Sequence, residues 1–225
     1  MLITEEQNAP LMTLEEFLDW YPDGYSGRFE LRNGVIIKVQ PTGTHEQVAG
    51  FLALELGVEI KRLNLPFFIP RQGLIKAIDS EKSAYIPDVM VLDSNALENE
   101  SLWKKRSMIT QGTSVKLAIE VVSTNWQDDY LMKLGEYEKL GIGEYWIVDY
   151  LGLGGRRYIG DPKQRCDPAD SQSAKERAPR EPTISVYHWV EGEYMVNLFS
   201  GQDVVGSPTF SELNLTAEQI FEAGQ

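Results

Sequence analysis

Two acidic residues stand where the sequence predicts buried strands. Asp88 opens the apolar run 89–92, and Glu120 lies inside the apolar run 117–122. An ionised carboxylate in such surroundings is costly unless it pairs with a cation or binds a metal ion. Two carboxylates, together with a main-chain carbonyl and waters, form a donor set that suits Mg²⁺. The alternative is that each residue ends a strand and faces solvent, or pairs with a nearby arginine.

The segment that follows Glu120 supplies a cation. Asp129 and Lys133 are spaced i, i+4, with Tyr137 one further turn along, so the three share one helix face. Because this helix, predicted at 127–140, follows the strand of Glu120, its first turns lie above the end of that strand. Lys133 could then reach a phosphate or an attacking water. The alternative is an ordinary surface pair of Asp129 and Lys133, which contributes only a few tenths of a kcal/mol.

Capping signals and turn residues predict the elements that must position these side chains. Thr13 with Glu16 predicts a capping box for a short helix. Thr44 predicts the start of a second helix, at 44–63, whose apolar residues recur at helical spacing. Asn33-Gly34, between two β-rich runs, predicts a hairpin.

The centre of the chain predicts a strand, a helix and a second strand. Residues 115–122 form a nearly continuous apolar run, residues 127–140 a helix and residues 145–148 another buried strand. This order is typical of a βαβ unit. We therefore expect an α/β fold in which a mixed sheet carries Asp88 and Glu120 on adjacent strands, covered by the two longer helices.

The rest of the chain predicts further strands and one irregular segment. Residues 160–182 are rich in Pro, Asp, Lys, Ser and Arg, which predicts a flexible surface excursion. Thr216 with Gln219 predicts the cap of a terminal helix. We expect residues 1–225 to form one domain. Other strands are predicted at 67–69, 73–78, 89–92, 184–190 and 194–199, the last two as a hairpin, with a loop that contains a helical turn at 94–112.

Charge and composition narrow the function classes. Lys plus Arg is 21 and Asp plus Glu is 34, so the net charge is −13. Nucleic-acid-binding domains are more often basic, because phosphate contacts carry most of the non-specific affinity. An acidic chain can still act on nucleic acid through a bound cation, which is the largest local charge in such a site. With one Cys and two His, a single chain cannot assemble a tetrahedral Cys/His zinc site.

Cysteine usage and the apolar runs indicate the compartment. Cys166 is the single cysteine, which excludes an internal disulfide framework and fits a reducing environment. The apolar runs are far shorter than the roughly 20 residues that a membrane helix needs. The N-terminus lacks the basic and then apolar pattern of a secretory signal. We expect a cytoplasmic protein with no membrane partner.

Short motifs, none specific alone, follow one another in a recognisable order. As an ordered set, they resemble the Uma-type putative restriction endonuclease family, a bacterial branch of the PD-(D/E)xK nuclease superfamily. The likeness runs from about residue 12 to residue 150. The motifs are Phe29-Glu30-Leu31-Arg32-Asn33-Gly34, the helix start at His45, Ile86-Pro87-Asp88-Val89, Ile119-Glu120-Val121-Val122-Ser123, Asp129-x-x-x-Lys133-x-x-x-Tyr137 and Gly143-Glu144-Tyr145-Trp146-Ile147-Val148-Asp149.

The resemblance implies a role for each matching residue. Asp88 and Glu120 match the metal-binding carboxylates, with the Val121 carbonyl as a third ligand for Mg²⁺ or Mn²⁺. The superfamily usually has a lysine two residues after the second carboxylate, where this chain has Val122. The family's solution is a lysine moved onto the following helix, which Lys133 matches. The resemblance thus implies Asp88, Glu120 and Lys133 as the catalytic residues.

Four further residues match positions near the implied site: Glu30, His45, Asp129 and Tyr137. Glu30 could instead serve the fold, and His45 could instead make a hydrogen bond at the helix start. The resemblance implies a restriction-endonuclease-like core with flanking helices and extra β-hairpins. It also implies a metal-dependent endonuclease acting on nucleic acid, DNA by preference, and a possible homodimer. The alternatives are a catalytically silent module for partner binding or oligomerisation, and a small nucleotide phosphodiesterase.

Overall fold

The computed structural model describes residues 11–21, 27–123, 126–154 and 181–225. These residues form a mixed α/β fold with two sheets and flanking helices. The helices are α1 (Leu14–Trp20), α2 (Gly43–Arg62), α3 (Trp103–Arg106), α4 (Leu134–Leu140) and α5 (Ala217–Glu222). The strands are β1 (Arg28–Arg32), β2 (Val35–Val39), β3 (Phe67–Phe68), β4 (Leu74–Lys76), β5 (Ala84–Tyr85), β6 (Val89–Asp93), β7 (Met108–Ile109), β8 (Val115–Val121), β9 (Glu144–Asp149), β10 (Thr183–Val190) and β11 (Glu193–Phe199).

The six-stranded sheet carries both acidic residues singled out in the sequence. Its strand order is β11-β10-β9-β8-β6-β3. Strands β8 and β9 run parallel, whereas the other neighbours are antiparallel. Asp88 directly precedes β6, Glu120 lies in β8, and the two strands pair with Val89 opposite Ile119. The predicted mixed sheet, with the two carboxylates on adjacent strands, is therefore confirmed.

Both faces of this sheet are covered, which explains why its strands read as continuous apolar runs. On one face, Val91, Leu117 and Ile119 share a core with residues of α2 and α5. On the other face, Ala118 shares a second core with Tyr137 of α4. The two helices predicted to cover the sheet thus lie on opposite faces of it.

The five-stranded sheet has the order β2-β1-β5-β4-β7 and contains the predicted hairpin. Both turn residues have a positive φ, 49° for Asn33 and 83° for Gly34, as a two-residue hairpin of matching twist requires. Leu31 of β1 is fully buried in a core that includes α1. Side chains alternate along a strand, so the other face of β1 points away from that core.

The C-terminal segment is tied to the six-stranded sheet through Glu144, the first residue of β9. Its buried carboxylate accepts hydrogen bonds from Trp146 Nε1 at 2.6 Å, Ser207 Oγ at 3.1 Å and the Thr209 main-chain N–H at 2.8 Å. Burial raises the pKa of Glu144, and these hydrogen bonds oppose the rise. The carboxylate therefore holds the C-terminal segment against the sheet, because its hydrogen-bond partners are all residues of the fold.

Two helix predictions were wrong in detail. Helix α2 is capped by Thr42, whose hydroxyl accepts from the His45 N–H, and Thr44 lies inside its first turn. The sequence offers two threonines, but the N-cap is the one with extended backbone, φ −79° and ψ 165° at Thr42. The regular helix predicted at 127–140 begins as a π-helical segment, Asp128–Lys133, which continues into α4.

Short elements also departed from the predictions. Strand β4 is shorter than the predicted 73–78, and strand β5 was not predicted. The loop predicted at 94–112 contains the expected helical turn, α3, but also the unpredicted strand β7. Strands this short leave almost no periodic signal in the sequence. Apart from residues 181 and 182, the excursion predicted at 160–182 lies outside the described residues. Within the described ranges, no helix is long and apolar enough to cross a bilayer.

Candidate active site

Asp88 is held by donors from three elements. Its Oδ2 accepts a hydrogen bond from the Val121 N–H at 2.9 Å and lies 3.1 Å from His45 Nε2. Its Oδ1 lies 3.3 Å from the Arg28 guanidinium. The Asp88 N–H itself donates to the Ile119 carbonyl at 3.0 Å, which continues the pairing of β6 with β8. The carboxylate is thus fixed at the end of its strand, with 7% of the side chain exposed.

Glu120 is held through both of its oxygens from the helix side of the sheet. Lys133 Nζ donates to Oε2 at 2.8 Å, and the Tyr137 hydroxyl donates to Oε1 at 3.1 Å. The neighbouring residues Ile119 and Val121 belong to the opposite core, so Glu120 points toward the face covered by α4. The surface-facing alternative for Glu120 is wrong, because the side chain is 3% exposed.

The π-helical segment brings Lys133 into contact with two further acids. Lys133 Nζ lies 3.2 Å from Glu30 Oε1 and 3.7 Å from Asp129 Oδ1. Asp129 and Lys133 are both buried, so the alternative of an ordinary surface pair is also wrong. Single π-turns inside helices occur frequently at functional sites.

Strand β1 supplies a charged face to the same cluster. Arg28, Glu30 and Arg32 alternate with Phe29 and Leu31, so the three charged side chains share one face. Arg28 reaches Asp88, Glu30 reaches Lys133, and Arg32 reaches Glu30. The two arginines were not predicted from the sequence, although this alternation within a strand was the signal that could have found them.

His45 makes the predicted hydrogen bond at the helix start, but only with its main chain. Its N–H donates to Thr42 Oγ1 at 3.5 Å, whereas the imidazole turns to Asp88. Burial lowers the pKa of His45, but the hydrogen bond and charge of Asp88 and the Val121 main chain outweigh it and raise the pKa. An imidazolium at this position would strengthen its contact with Asp88.

Burial and neighbouring charges raise the pKa values of two carboxylates in this cluster. Burial raises the pKa of Glu120 well above its usual range; Lys133 opposes this, and the charges of Asp88, Asp129 and Glu30 add to it. Burial also raises the pKa of Asp129 to about 7, again with neighbouring acids adding and Lys133 opposing.

Asp88 behaves differently from Glu120 and Asp129. Burial alone would raise its pKa, but the hydrogen bond and charge of His45, with Lys133 and Arg28, bring the pKa below its usual value. Asp88 therefore stays ionised at neutral pH, as does Glu30, whose pKa Lys133 and Arg32 lower against the effect of burial.

The donor set of Asp88, Glu120 and the Val121 carbonyl suits a hard divalent cation by its chemistry. Burial first, and then the charges of neighbouring acids, raise the pKa values of Glu120 and Asp129, and a bound cation would oppose both effects by stabilising the ionised carboxylates. Among the described residues, no three His, Cys, Asp or Glu side chains form a metal-ligand group. A cation here would therefore depend on two carboxylates with main-chain or water oxygens.

The seven residues singled out for their side chains form two adjacent contact groups. Lys133 joins Glu120, Glu30 and Asp129, and Tyr137 binds Glu120. His45 contacts Asp88, which the Val121 main-chain N–H ties to the strand of Glu120. The seven residues are Glu30, His45, Asp88, Glu120, Asp129, Lys133 and Tyr137.

Two comparisons with known proteins found matches. The family model described as "Uma2: Putative restriction endonuclease" matches residues 14–218. A solved structure, described as a putative nuclease belonging to DUF820 from Anabaena variabilis ATCC 29413, is 17% identical with a TM-score of 0.64. The alignment covers 95% of this chain and 99% of that chain, and at this identity it shows a shared fold. A comparison with curated proteins found no match.

Proposed function

Since the chain belongs to the Uma2 family of putative restriction endonucleases, we propose that it is a metal-dependent endonuclease that hydrolyses phosphodiester bonds in nucleic acid. One observation carries the proposal. Asp88 and Glu120 sit on adjacent strands, and Lys133 Nζ lies 2.8 Å from Glu120 Oε2. Two carboxylates can hold a cation that activates water for phosphodiester hydrolysis, and a lysine beside them can stabilise the charge that builds on the phosphoryl group.

The metal ligands in this proposal are Asp88, Glu120 and the Val121 carbonyl, with Mg²⁺ or Mn²⁺ as the cofactor. When bound, the cation would polarise a phosphodiester oxygen and activate water. Around it, His45, Arg28 and the Val121 N–H keep Asp88 in one orientation. Donors fixed in advance by the fold need no reorganisation during the reaction.

Lys133 is the residue proposed to stabilise negative charge that builds on the phosphoryl group. Its ammonium is shared among Glu120, Glu30 and Asp129, and these acids raise its pKa against the effect of burial. Lys133 therefore stays charged at neutral pH. Tyr137 holds the second oxygen of Glu120, which keeps that carboxylate facing the lysine.

Double-stranded DNA is the proposed substrate. With a net charge of −13, the chain has little general attraction for phosphates, so binding must depend on local contacts and the cation. A homodimer would present two such sites to the two strands of a duplex. Sedimentation with and without a DNA duplex tests this part of the proposal.

One observation favours the two alternative functions, a catalytically silent module and a phosphodiesterase for small nucleotides. The side chains of Asp88, Glu120 and Lys133 are only 3–7% exposed, which leaves little room for a DNA backbone in this conformation. A small nucleotide would need less opening of the site, and a silent module would need none.

Metal-dependent cleavage assays separate these candidates. Plasmid DNA and a cyclic or linear dinucleotide are incubated with the protein and Mg²⁺, Mn²⁺ or EDTA, alongside Glu120→Gln. Lys116→Met is the matched control, because Lys116 pairs with Asp93 on the same sheet, away from the cluster. We expect plasmid cleavage that needs the cation, is lost in Glu120→Gln and survives in Lys116→Met. Cleavage of the dinucleotide alone would support the phosphodiesterase, and a folded protein that cleaves neither substrate would support the silent module.

A further inference from the structure

We infer that Arg32 is a positioning residue of this site, which acts through Glu30 to hold Lys133 against Glu120 and through Asp128 to hold the helical segment that carries Lys133. The inference rests on the proposed function for its catalytic consequence only. The contacts that support it are present whether or not the chain cleaves nucleic acid.

The first arm of Arg32 fixes the orientation of Glu30. Arg32 donates to Glu30 Oε2 from Nε at 2.8 Å and from a terminal nitrogen at 2.6 Å. The other oxygen, Oε1, accepts from the Ile86 N–H at 3.0 Å and lies 3.2 Å from Lys133 Nζ. Both Arg32 donors converge on Oε2, so the guanidinium holds that oxygen away from the lysine. Glu30 thus presents only Oε1 to the lysine.

The second arm ties β1 to the π-helical segment. The other terminal nitrogen of Arg32 forms an ion pair with Asp128, the first residue of the segment Asp128–Lys133. Lys133 is the last residue of that segment. Arg32 therefore contacts the start of the segment directly and its end through Glu30, and both arms fix the same segment relative to β1.

Loss of Arg32 should shift the lysine rather than merely loosen it. Glu30 is fully buried, so without Arg32 its nearest remaining cation would be Lys133. The ammonium would move toward Glu30 and away from Glu120, to which it is now 2.8 Å distant. Because Lys133 acts on charge that develops during the reaction, the loss should appear in kcat more than in KM.

The competing explanation is that Arg32 only stabilises the fold. A suitable control for it is Leu31→Ala, which weakens the same strand from its opposite, fully buried face without touching the ion pairs. A second control is Arg62→Met, which removes a similar two-donor Arg–Glu contact, to Glu59 on the far part of α2. If Arg32 is merely structural, Arg32→Met and Leu31→Ala should behave alike at equal loss of stability.

The kinetic test compares Arg32→Met and Arg32→Lys with these controls. We expect kcat of Arg32→Met to fall about 10–100-fold, the usual effect of losing a partner that orients a reactive side chain. Arg32→Lys, with a single ammonium nitrogen in place of the three nitrogens of the guanidinium, should recover part of this loss. In a Glu30→Gln background, Arg32→Met should cost less than in the wild type, because only the ion pair with Asp128 is then left to lose. A fall of the same size in Leu31→Ala, or full additivity with Glu30→Gln, would overturn the inference.

A second readout does not need cleavage activity. Native-state acylation of lysines, followed by peptide mass spectrometry, reports how tightly Lys133 is held, with the exposed Lys139 as internal reference. We expect Lys133 in Arg32→Met to react about 10-fold slower, because Glu30, no longer neutralised by Arg32, holds the ammonium more tightly; faster labelling would show that the segment is merely loosened and would also overturn the inference. Leu31→Ala should not reproduce this at matched stability.

If the wild-type protein cleaves nothing, the proposed function fails, yet this readout still decides the role of Arg32. Unchanged Lys133 labelling would overturn that role. If Arg32→Met does not fold, the same labelling experiment is done on Arg32→Lys.

Discussion

Lys133 and Glu120 are 13 residues apart in sequence, yet the lysine ammonium lies 2.8 Å from the glutamate Oε2. Position 122, where the superfamily's lysine is expected, holds a fully buried valine in the core under α4. The cation therefore reaches the second carboxylate from the covering helix instead of from the same strand. This relationship makes the charge balance of the cluster depend on how the helix is held against the sheet.

Lys133→Met should remove both activity and stability. It takes the shared cation away from three buried acids, and breaking a buried charge network from one side costs about 3–5 kcal/mol. The loss should be smaller near pH 5, because Glu120 and Asp129 have raised pKa values and can then hold protons. Urea unfolding at about pH 5 and pH 8 measures this. Equal stability losses at both pH values would contradict the charge-based explanation, and Lys116→Met serves as the control.

Asp129 should make the protein less stable as pH rises toward neutrality. Burial and neighbouring acids raise its pKa from 3.8 to about 7, so the folded state keeps a proton there that the unfolded chain has lost. The contribution of Asp129 to the free energy of unfolding should therefore fall between about pH 4 and pH 7 and level off above. Asp129→Asn should flatten this slope, whereas Asp79→Asn, at an exposed surface pair with Lys139, should not. Identical slopes in urea unfolding would exclude this role of Asp129.

Tyr137→Phe should affect catalysis more than folding. The Tyr137 hydroxyl donates to Glu120 Oε1 at 3.1 Å, and both groups are buried. Removing it should cost about 1 kcal/mol of stability and lower the cleavage rate about 10-fold, as partners that orient a reactive group do. Tyr150→Phe is the matched control, because that hydroxyl lies 3.2 Å from Thr44 and not from Glu120. Equal rates for the two variants would show that Lys133 alone orients Glu120.

Glu144→Ala should destabilise the fold without entering the chemistry. Three donors, from Trp146, Ser207 and Thr209, would lose their buried acceptor, at about 1–3 kcal/mol for each group left unpaired. Thermal unfolding should show the loss, while the cleavage rate per folded molecule at a permissive temperature stays at the wild-type value. A reduced rate in fully folded protein would mean that the C-terminal segment takes part in the site.

Much of the framework around the site could be predicted from the sequence, for identifiable physical reasons. The strand that follows Asp88 and the strand that contains Glu120 are continuous apolar runs in the sequence, because both faces of their sheet are covered. The hairpin at Asn33-Gly34 has only one common backbone solution. Such signals are local, so they can be recognised without knowing which segments pack against each other. Whether Glu120 meets a lysine or solvent depends on the covering helix, which no local pattern fixes.

The parts that were missed depend on contacts between distant segments. Arg28 and Arg32 look like ordinary charges on a short strand, and their partners Asp88 and Asp128 are 60 and 96 residues away. The N-cap of α2 is Thr42 because that residue has the extended backbone. The sequence, with a threonine at both 42 and 44, does not show which of the two has it. The π-helical segment has no composition signal at all, because its geometry follows from packing against the sheet.

That π-helical segment also sets the rotational phase of the covering helix. A π-turn holds an additional residue compared with an α-turn, and one residue corresponds to about 100° of rotation around an α-helix. Deleting one residue within Asp128–Lys133, for instance the exposed Leu131, would let the segment return to α-helical winding. The two ends of the helix would then be out of phase, and either the lysine or Tyr137 would turn away from Glu120. Chains of this kind can therefore lose the site through a change in length alone, with every functional side chain still present in the sequence.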